Sequence, residues 1–157
     1  MSGFISKDDY KYQIRTERLD QILEATDEDE DALLEEAEDE AIAVIRDYLI
    51  SKYDVDLIFS SSGDSRPKNV LRWAKTLVIY YIYERIPDEM VPERVVKNYD
   101  DTLETLENIA RGDMNVDLPK LSEQTPPFGQ SAPKTRRRMG SKPPRTNDGG
   151  SPRFIRS

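Results

Sequence analysis

Histidine and cysteine are both absent from this 157-residue chain. Without histidine there is no Ser-His-Asp triad, no Cys-His pair and no imidazole ligand for a metal. Without cysteine there is no disulfide, thiolate zinc site or thiol nucleophile, and no thiol content from which to read a redox compartment. Long apolar runs are missing too. The longest, Leu77 to Tyr83, has seven residues, against the ~20 that a membrane helix needs. The start, Met1-Ser2-Gly3-Phe4-Ile5, carries neither the basic residues nor the apolar stretch of a signal peptide. The expectation is a soluble protein that stays where it is made. Apolar residues make up only 36% of the chain, below the ~45–50% of an average soluble domain even when glycine is added.

Charge is what the chain has in excess, at 34% of residues, with 23 basic and 31 acidic side chains and a net of −8. That net hides a division. Residues 1–119 carry −15 and residues 120–157 carry +7. Six of ten prolines and four of seven glycines fall in the last 38 residues, where Phe128, Phe154 and Ile155 are almost the only large apolar groups. Such a stretch cannot offset its ordering entropy by burial. Two parts are therefore expected: a folded module over 1–119 and a basic Pro/Gly/Arg-rich extended tail over 120–157.

Within the module the apolar spacing is helical. Ser6-Lys7-Asp8-Asp9 reads as the start of a short helix over roughly 6–14, with Ser6 as cap and carboxylates at the positive end. Thr16 is expected to cap a second helix carrying Leu19, Ile22 and Leu23. A long third, about Asp31 to Tyr53, repeats Leu34, Ala37, Ala41, Ile45, Tyr48 and Leu49 at three- and four-residue steps. Asp54 to Arg66 reads as a loop around the apolar patch Leu57, Ile58 and Phe59. Pro67 suits the first turn of a fourth helix with Leu71, Ala74, Leu77, Val78 and Tyr81 inward, widened by Trp73, Tyr80 and Tyr83. A fifth runs from about Pro92 to Arg111, with Gly112 placed to end it. The fold class that follows is all-α: a small antiparallel helical bundle of about five helices, with an extended C-terminal tail.

The constellations that could carry chemistry have plain alternatives. Read as a calcium loop, Asp27, Asp29 and Asp31 fall at the first, third and fifth positions and Glu38 at the twelfth, but Ala32 occupies the place where the turn needs glycine. An acidic first helical turn, favoured by the helix dipole, is the preferred reading. The aromatic group Trp73, Tyr80, Tyr81 and Tyr83 has core spacing, with few of the interleaved cations a base-stacking platform uses. No carboxylate pair stands out by its spacing, and Ser62-Gly63-Asp64 lacks the lysine and glycine pattern of a phosphate loop. No enzyme and no cofactor are expected. In the tail, Arg136, Arg137 and Arg138 suit an anionic surface, and Phe154 with Ile155 suits a pocket.

Taken in order, Phe4-Ile5-Ser6-Lys7-Asp8-Asp9, Ala25-Thr26-Asp27, the run Ala41 to Leu49, the Leu71 to Tyr83 helix and the segment Tyr99 to Gly112 resemble the Mu-like phage head–tail connector family. The resemblance spans about residues 4–119. It departs at Glu30 and Ala32, where many members carry glycines, and the tail lies outside it. The resemblance implies an all-α adaptor in the virion neck, made in the bacterial host cytoplasm. It implies a homo-oligomeric ring, commonly of about twelve copies, below the portal protein. Such a ring extends the DNA channel and docks a stopper or tail-completion protein. It suggests no catalytic residue.

On that reading part of Asp27–Asp39, with Asp27, Glu28, Asp29, Glu30 and Glu35 as candidates, or the Asp54–Arg66 loop faces the lumen, where carboxylates repel passing DNA. Leu57, Ile58, Phe59, Lys68 and Arg72 are candidates for subunit or partner contacts, with the acidic third helix set against Lys68, Arg72 and Lys75 of a neighbour. Arg136, Arg137, Arg138, Phe154 and Ile155 are candidates to anchor the tail. The alternative is a nucleic-acid-binding accessory protein that uses the basic arm.

Overall fold

Three amphipathic helices supply most of the apolar surface that has to be buried, and their mutual packing sets the fold. The computed structural model describes residues 3–26, 28–87 and 90–122. Among these, a 3-10 turn at Lys7–Tyr12 precedes α1 (Thr16–Glu24), α2 (Glu30–Leu49), α3 (Val55–Ser60), a second short 3-10 turn, α4 (Lys68–Glu84) and α5 (Glu93–Arg111). No strand occurs among the described residues, and no helix is long and apolar enough to cross a membrane. The all-α expectation holds. The expectation of an extended tail falls on residues 123–157, outside the described residues.

Helices α2, α4 and α5 pack pairwise, with α1 laid against α2 and α4. Arg85, just past the end of α4, pairs with Glu36 near the start of α2 at 3.0 Å, so these two helices run antiparallel. Tyr80 of α4 stacks on Tyr99 of α5, centroids 3.9 Å apart, which sets α5 antiparallel to α4 as well. Lys52, after α2, donates from Nζ to the Ile109 carbonyl near the end of α5. Helices α2 and α5 are therefore parallel, with α4 reversed against both. Ala37, Ala41, Ile45, Leu49, Ala74, Leu77, Val78 and Leu106 are fully buried between them. Each full-size aliphatic side chain removed from water in this way contributes roughly 1.5–3 kcal/mol.

Several local expectations are corrected. Thr16 is the first residue of α1, and Arg15, with extended backbone, stands at the cap position. Helix α2 ends at Leu49 rather than Tyr53, because Tyr53 is drawn into an antiparallel bridge with Lys120. The stretch read as a loop contains α3, started by Asp54, whose Oδ1 accepts from the Leu57 N–H at 3.0 Å. Trp73 and Tyr80 are only half-buried, whereas Phe4, Ile5 and Tyr10 of the N-terminal segment lie in the core. Gly112 does end α5, with φ at +91°, a left-handed conformation that costs other residues ~1–2 kcal/mol.

Beyond Gly112 the chain returns along the far end of α2. The Asp54 N–H donates to the Pro119 carbonyl at 2.8 Å, and the Leu121 N–H donates to the Lys52 carbonyl at 3.1 Å. Leu118 is buried beneath this clip. The described residues, up to Ser122, belong to one compact unit.

Candidate functional site

Helix α4 presents Arg72, Lys75, Thr76, Ile79 and Tyr83 at three- and four-residue steps, a single stripe. Over this stripe lies a groove of about 600 Å³. One wall is the end of the first 3-10 turn, Tyr12 and Gln13, with Arg18 of α1. The other is the start of α5, with Pro92, Arg94 and Val95. Arg18, Arg72, Lys75 and Arg94 line the groove, and among the described residues no carboxylate does. In a module of net −15 this is a local reversal of sign.

The walls are held by specific bonds. Gln13 Nε2 donates to Thr76 Oγ1 at 3.2 Å, tying the turn to α4. Arg18 Nε donates to Tyr83 Oη at 3.2 Å, and its guanidinium lies 5.7 Å from that ring's centroid. Lys75 donates from Nζ to the Asp9 carbonyl at 2.8 Å, and burial lowers its pKa despite the nearby Asp9 carboxylate. Arg72 and Arg94 are exposed and form no ion pair with another described residue.

Asp9 anchors the turn behind the groove. Arg66 grips it bidentately, Nη1 to Oδ2 at 2.7 Å and Nη2 to Oδ1 at 3.2 Å, and Ser6 donates to Oδ2 from both N and Oγ. Burial works against the charge, but these bonds outweigh it and hold the carboxyl at about 2. Arg66 also donates to the Phe4 carbonyl, so one side chain ties down the N-terminal segment.

Helix α2 shows the opposite sign. Glu36, Asp39, Glu40 and Asp47 share its outward face with the small residue Ala43, and all are exposed. Arg85 answers Glu36, and Arg46 pairs with Asp56 at 2.6 Å. Asp39, Glu40 and Asp47 form no ion pair with another described residue.

The carboxylates singled out from sequence do not converge. Asp27 lies outside the described residues. Asp29 caps α2, its Oδ1 accepting from the Ala32 N–H at 2.9 Å, so the acidic turn is a helix start. Glu28 and Asp31 are exposed, and Glu30 and Glu35 half-buried. Glu38 points the other way, 6% exposed, with Tyr10 Oη donating to its Oε1 at 2.8 Å. Burial pushes the Glu38 carboxyl up to about 7, with Asp39, Glu35 and Asp9 adding to the Tyr10-opposed shift. Facing inward, it cannot share a cation with Asp29 and Asp31, and no group of acids among the described residues is placed to hold a metal.

The apolar patch also divides. Leu57 is 56% exposed, whereas Ile58, at 1%, belongs to the core and is lost as a partner contact. Phe59 packs edge-on against Phe4, centroids 4.9 Å apart. Lys68 is exposed but does not line the groove, and Arg72 does. Arg136, Arg137, Arg138, Phe154 and Ile155 lie outside the described residues. Sequence reading missed Arg18 and Arg94, which come from two other helices and join Arg72 only through the fold.

In comparison with known proteins, the model of a family described as Bacteriophage Mu, Gp36 matches residues 4–133. No curated protein and no solved structure matches the chain.

Proposed function

Because the chain belongs to the bacteriophage Mu Gp36 family, a family of phage proteins, we propose that it is a structural head-to-tail adaptor. Copies form a ring in the virion neck, extend the portal's DNA channel and dock the stopper or tail-completion protein. The role is architectural rather than catalytic. The observation that carries this reading is a phage-family helical module with net charge −15 and acidic side chains gathered along one long helix. Duplex DNA carries one charge per ~1.7 Å, so a basic lining would hold it and an anionic lining lets it pass. The acidic start of α2, from Glu28 to Glu35, is the segment that faces the lumen. Leu57, exposed on α3, is a contact for the next protein in the stack.

The basic residues beyond Ser122 act as a strap. Drawn out to full length, thirty-odd residues reach ~100 Å, and many weak anchors on one ring bind strongly together through high effective concentration.

Cryo-electron microscopy of native particles tests the reading. Copies of the chain arranged around the channel below the portal are the expected result, and their absence from the neck overturns it. Cutting the chain after Ser122 keeps the Lys120 and Leu121 bonds to the module and is expected to weaken attachment to the portal. Attachment at the full-length level would remove the strap. A nucleic-acid-binding accessory protein, favoured only by the basic C-terminal arm, would instead be retained on DNA at low salt and released as salt rises.

A further inference from the structure

The basic groove and the acidic face of α2 lie on opposite sides of the module. Arg72, in the groove stripe of α4, and Tyr81 are nine positions apart, about two and a half helical turns, which places them on opposing sides of that helix. Tyr81 is on the side that feels Glu40 of α2, and Arg85, one turn on, pairs with Glu36. Helix α2 therefore covers the back of α4, and its own outward face looks away from the groove.

The two surfaces match in pattern as well as sign. The groove sets Ile79, Pro92 and Val95 among its cations. The α2 face sets Ala43 among Asp39, Glu40 and Asp47 at three- and four-residue steps, and the fourth such neighbour, Arg46, is drawn to Asp56. A small apolar centre flanked by carboxylates can enter a hollow whose apolar walls are flanked by guanidinium groups. Duplex DNA offers the charge but not the apolar centre.

We infer that the groove receives the acidic face of α2 from a second copy of this chain. The contact joins two different surfaces, so it is head-to-tail: it propagates from copy to copy and closes into a ring when its rotation permits. This deepens the adaptor reading and rests on it for the closed ring, while the pairwise contact is testable in solution.

The experiment uses the full chain in two charge-reversed forms. Arg72→Glu with Arg94→Glu cancels the charge of the groove, setting two carboxylates against Arg18 and Lys75. Asp39→Lys with Glu40→Lys makes the face basic. None of these four side chains is in an ion pair with another described residue, and circular dichroism confirms that each form is folded. Sedimentation velocity is run from low to high salt. The parent is expected to self-associate at low salt and dissociate as salt screens the contact. Each altered form alone is expected to associate at least tenfold more weakly, since one has no net groove charge to meet its acidic face and the other sets lysines against its basic groove. Mixing the two forms restores a pairwise contact, because the groove-altered form keeps its acidic face and the face-altered form keeps its basic groove.

A parent that stays monomeric at low salt, a reversed form that associates like the parent, or a mixture that stays apart overturns the contact. So does a groove-reversed form that loses retention on DNA while self-associating normally, which would make the groove a phosphate-backbone site. Association in solution together with absence from the neck would sink the adaptor reading and leave the contact standing. Presence in the neck with no rescue on mixing would do the reverse.

Discussion

Glu38 and Asp9 are carboxyls that folding pushes in opposite directions, and together they shape the response of this protein to pH. Glu38 rises from 4.5 to about 7 because burial disfavours its charge. Between those values the folded protein keeps a proton that the unfolded chain has released, so stability is full below about 4.5 and falls as pH climbs towards 7. Asp9 falls from 3.8 to about 2; burial resists, and the bonds from Arg66 and Ser6 prevail. Its contribution is present above 3.8 and is lost as pH drops towards 2. Urea midpoints measured across this range should therefore peak near pH 4 to 4.5 as far as these two groups decide. Glu38→Gln should flatten the limb between 4.5 and 7 and leave the acid limb intact. Arg66→Ala should flatten the acid limb and cost about 2 kcal/mol at neutral pH, since it removes charged hydrogen bonds that are largely shielded from water. Neither group was legible as such in the sequence. Glu38 sits in a run of outward carboxylates, and its partner Tyr10 is 28 positions away. Only the fold brings the two together.

Among the elements, legibility follows length. Helices α2, α4 and α5 repeat their apolar positions over several turns, so period alone reveals them. Helix α3, Val55–Ser60, is six residues long, too short for a period to develop, and its one local sign is Asp54 placed three positions before Leu57. Asp54→Ala should cost ~1 kcal/mol and raise amide hydrogen exchange within α3, with α2 and α4 unaffected. The end of α2 was misplaced for another reason. Tyr53 continues the apolar pattern, but its burial is owed to Lys120 and the segment around it. At the end of α5, Gly112→Ala forces a side chain into φ +91° and sets its Cβ 2.8 Å from Lys52 Nζ. That amine can swing aside, so the loss is mainly conformational, ~1–2 kcal/mol, read as a lower denaturation midpoint. Ala41→Leu, in a fully buried position of α2, should overfill the core and cost about 1–3 kcal/mol or more.

Over the whole molecule, the sign of charge is distributed by side rather than by residue count. Sequence arithmetic reveals the acidic module and the basic residues after it, and it places Arg72 among the contact residues. It cannot reveal that Arg18, Arg72, Lys75 and Arg94 share one hollow, because three helices separated in sequence contribute them. For the same reason Ile58 passes for a surface residue until α3 is folded against the core. A module polarised in this way should show self-association that depends strongly on ionic strength. Raising salt from about 0.05 M to 0.5 M, which shortens the Debye length severalfold, should dissociate the parent in sedimentation velocity. Dissociation that is indifferent to salt would mean an apolar contact instead.

The clip that binds Leu121 to Lys52 and Pro119 to Asp54 also has a mechanical meaning. A pull on the chain from beyond Ser122 arrives first at these backbone bonds, beside the junction of α2 and α3, and not at the last turn of α5. The load is thus routed into the longest helix of the module, and in an optical trap the clip should part as a separate early step before any helix unravels.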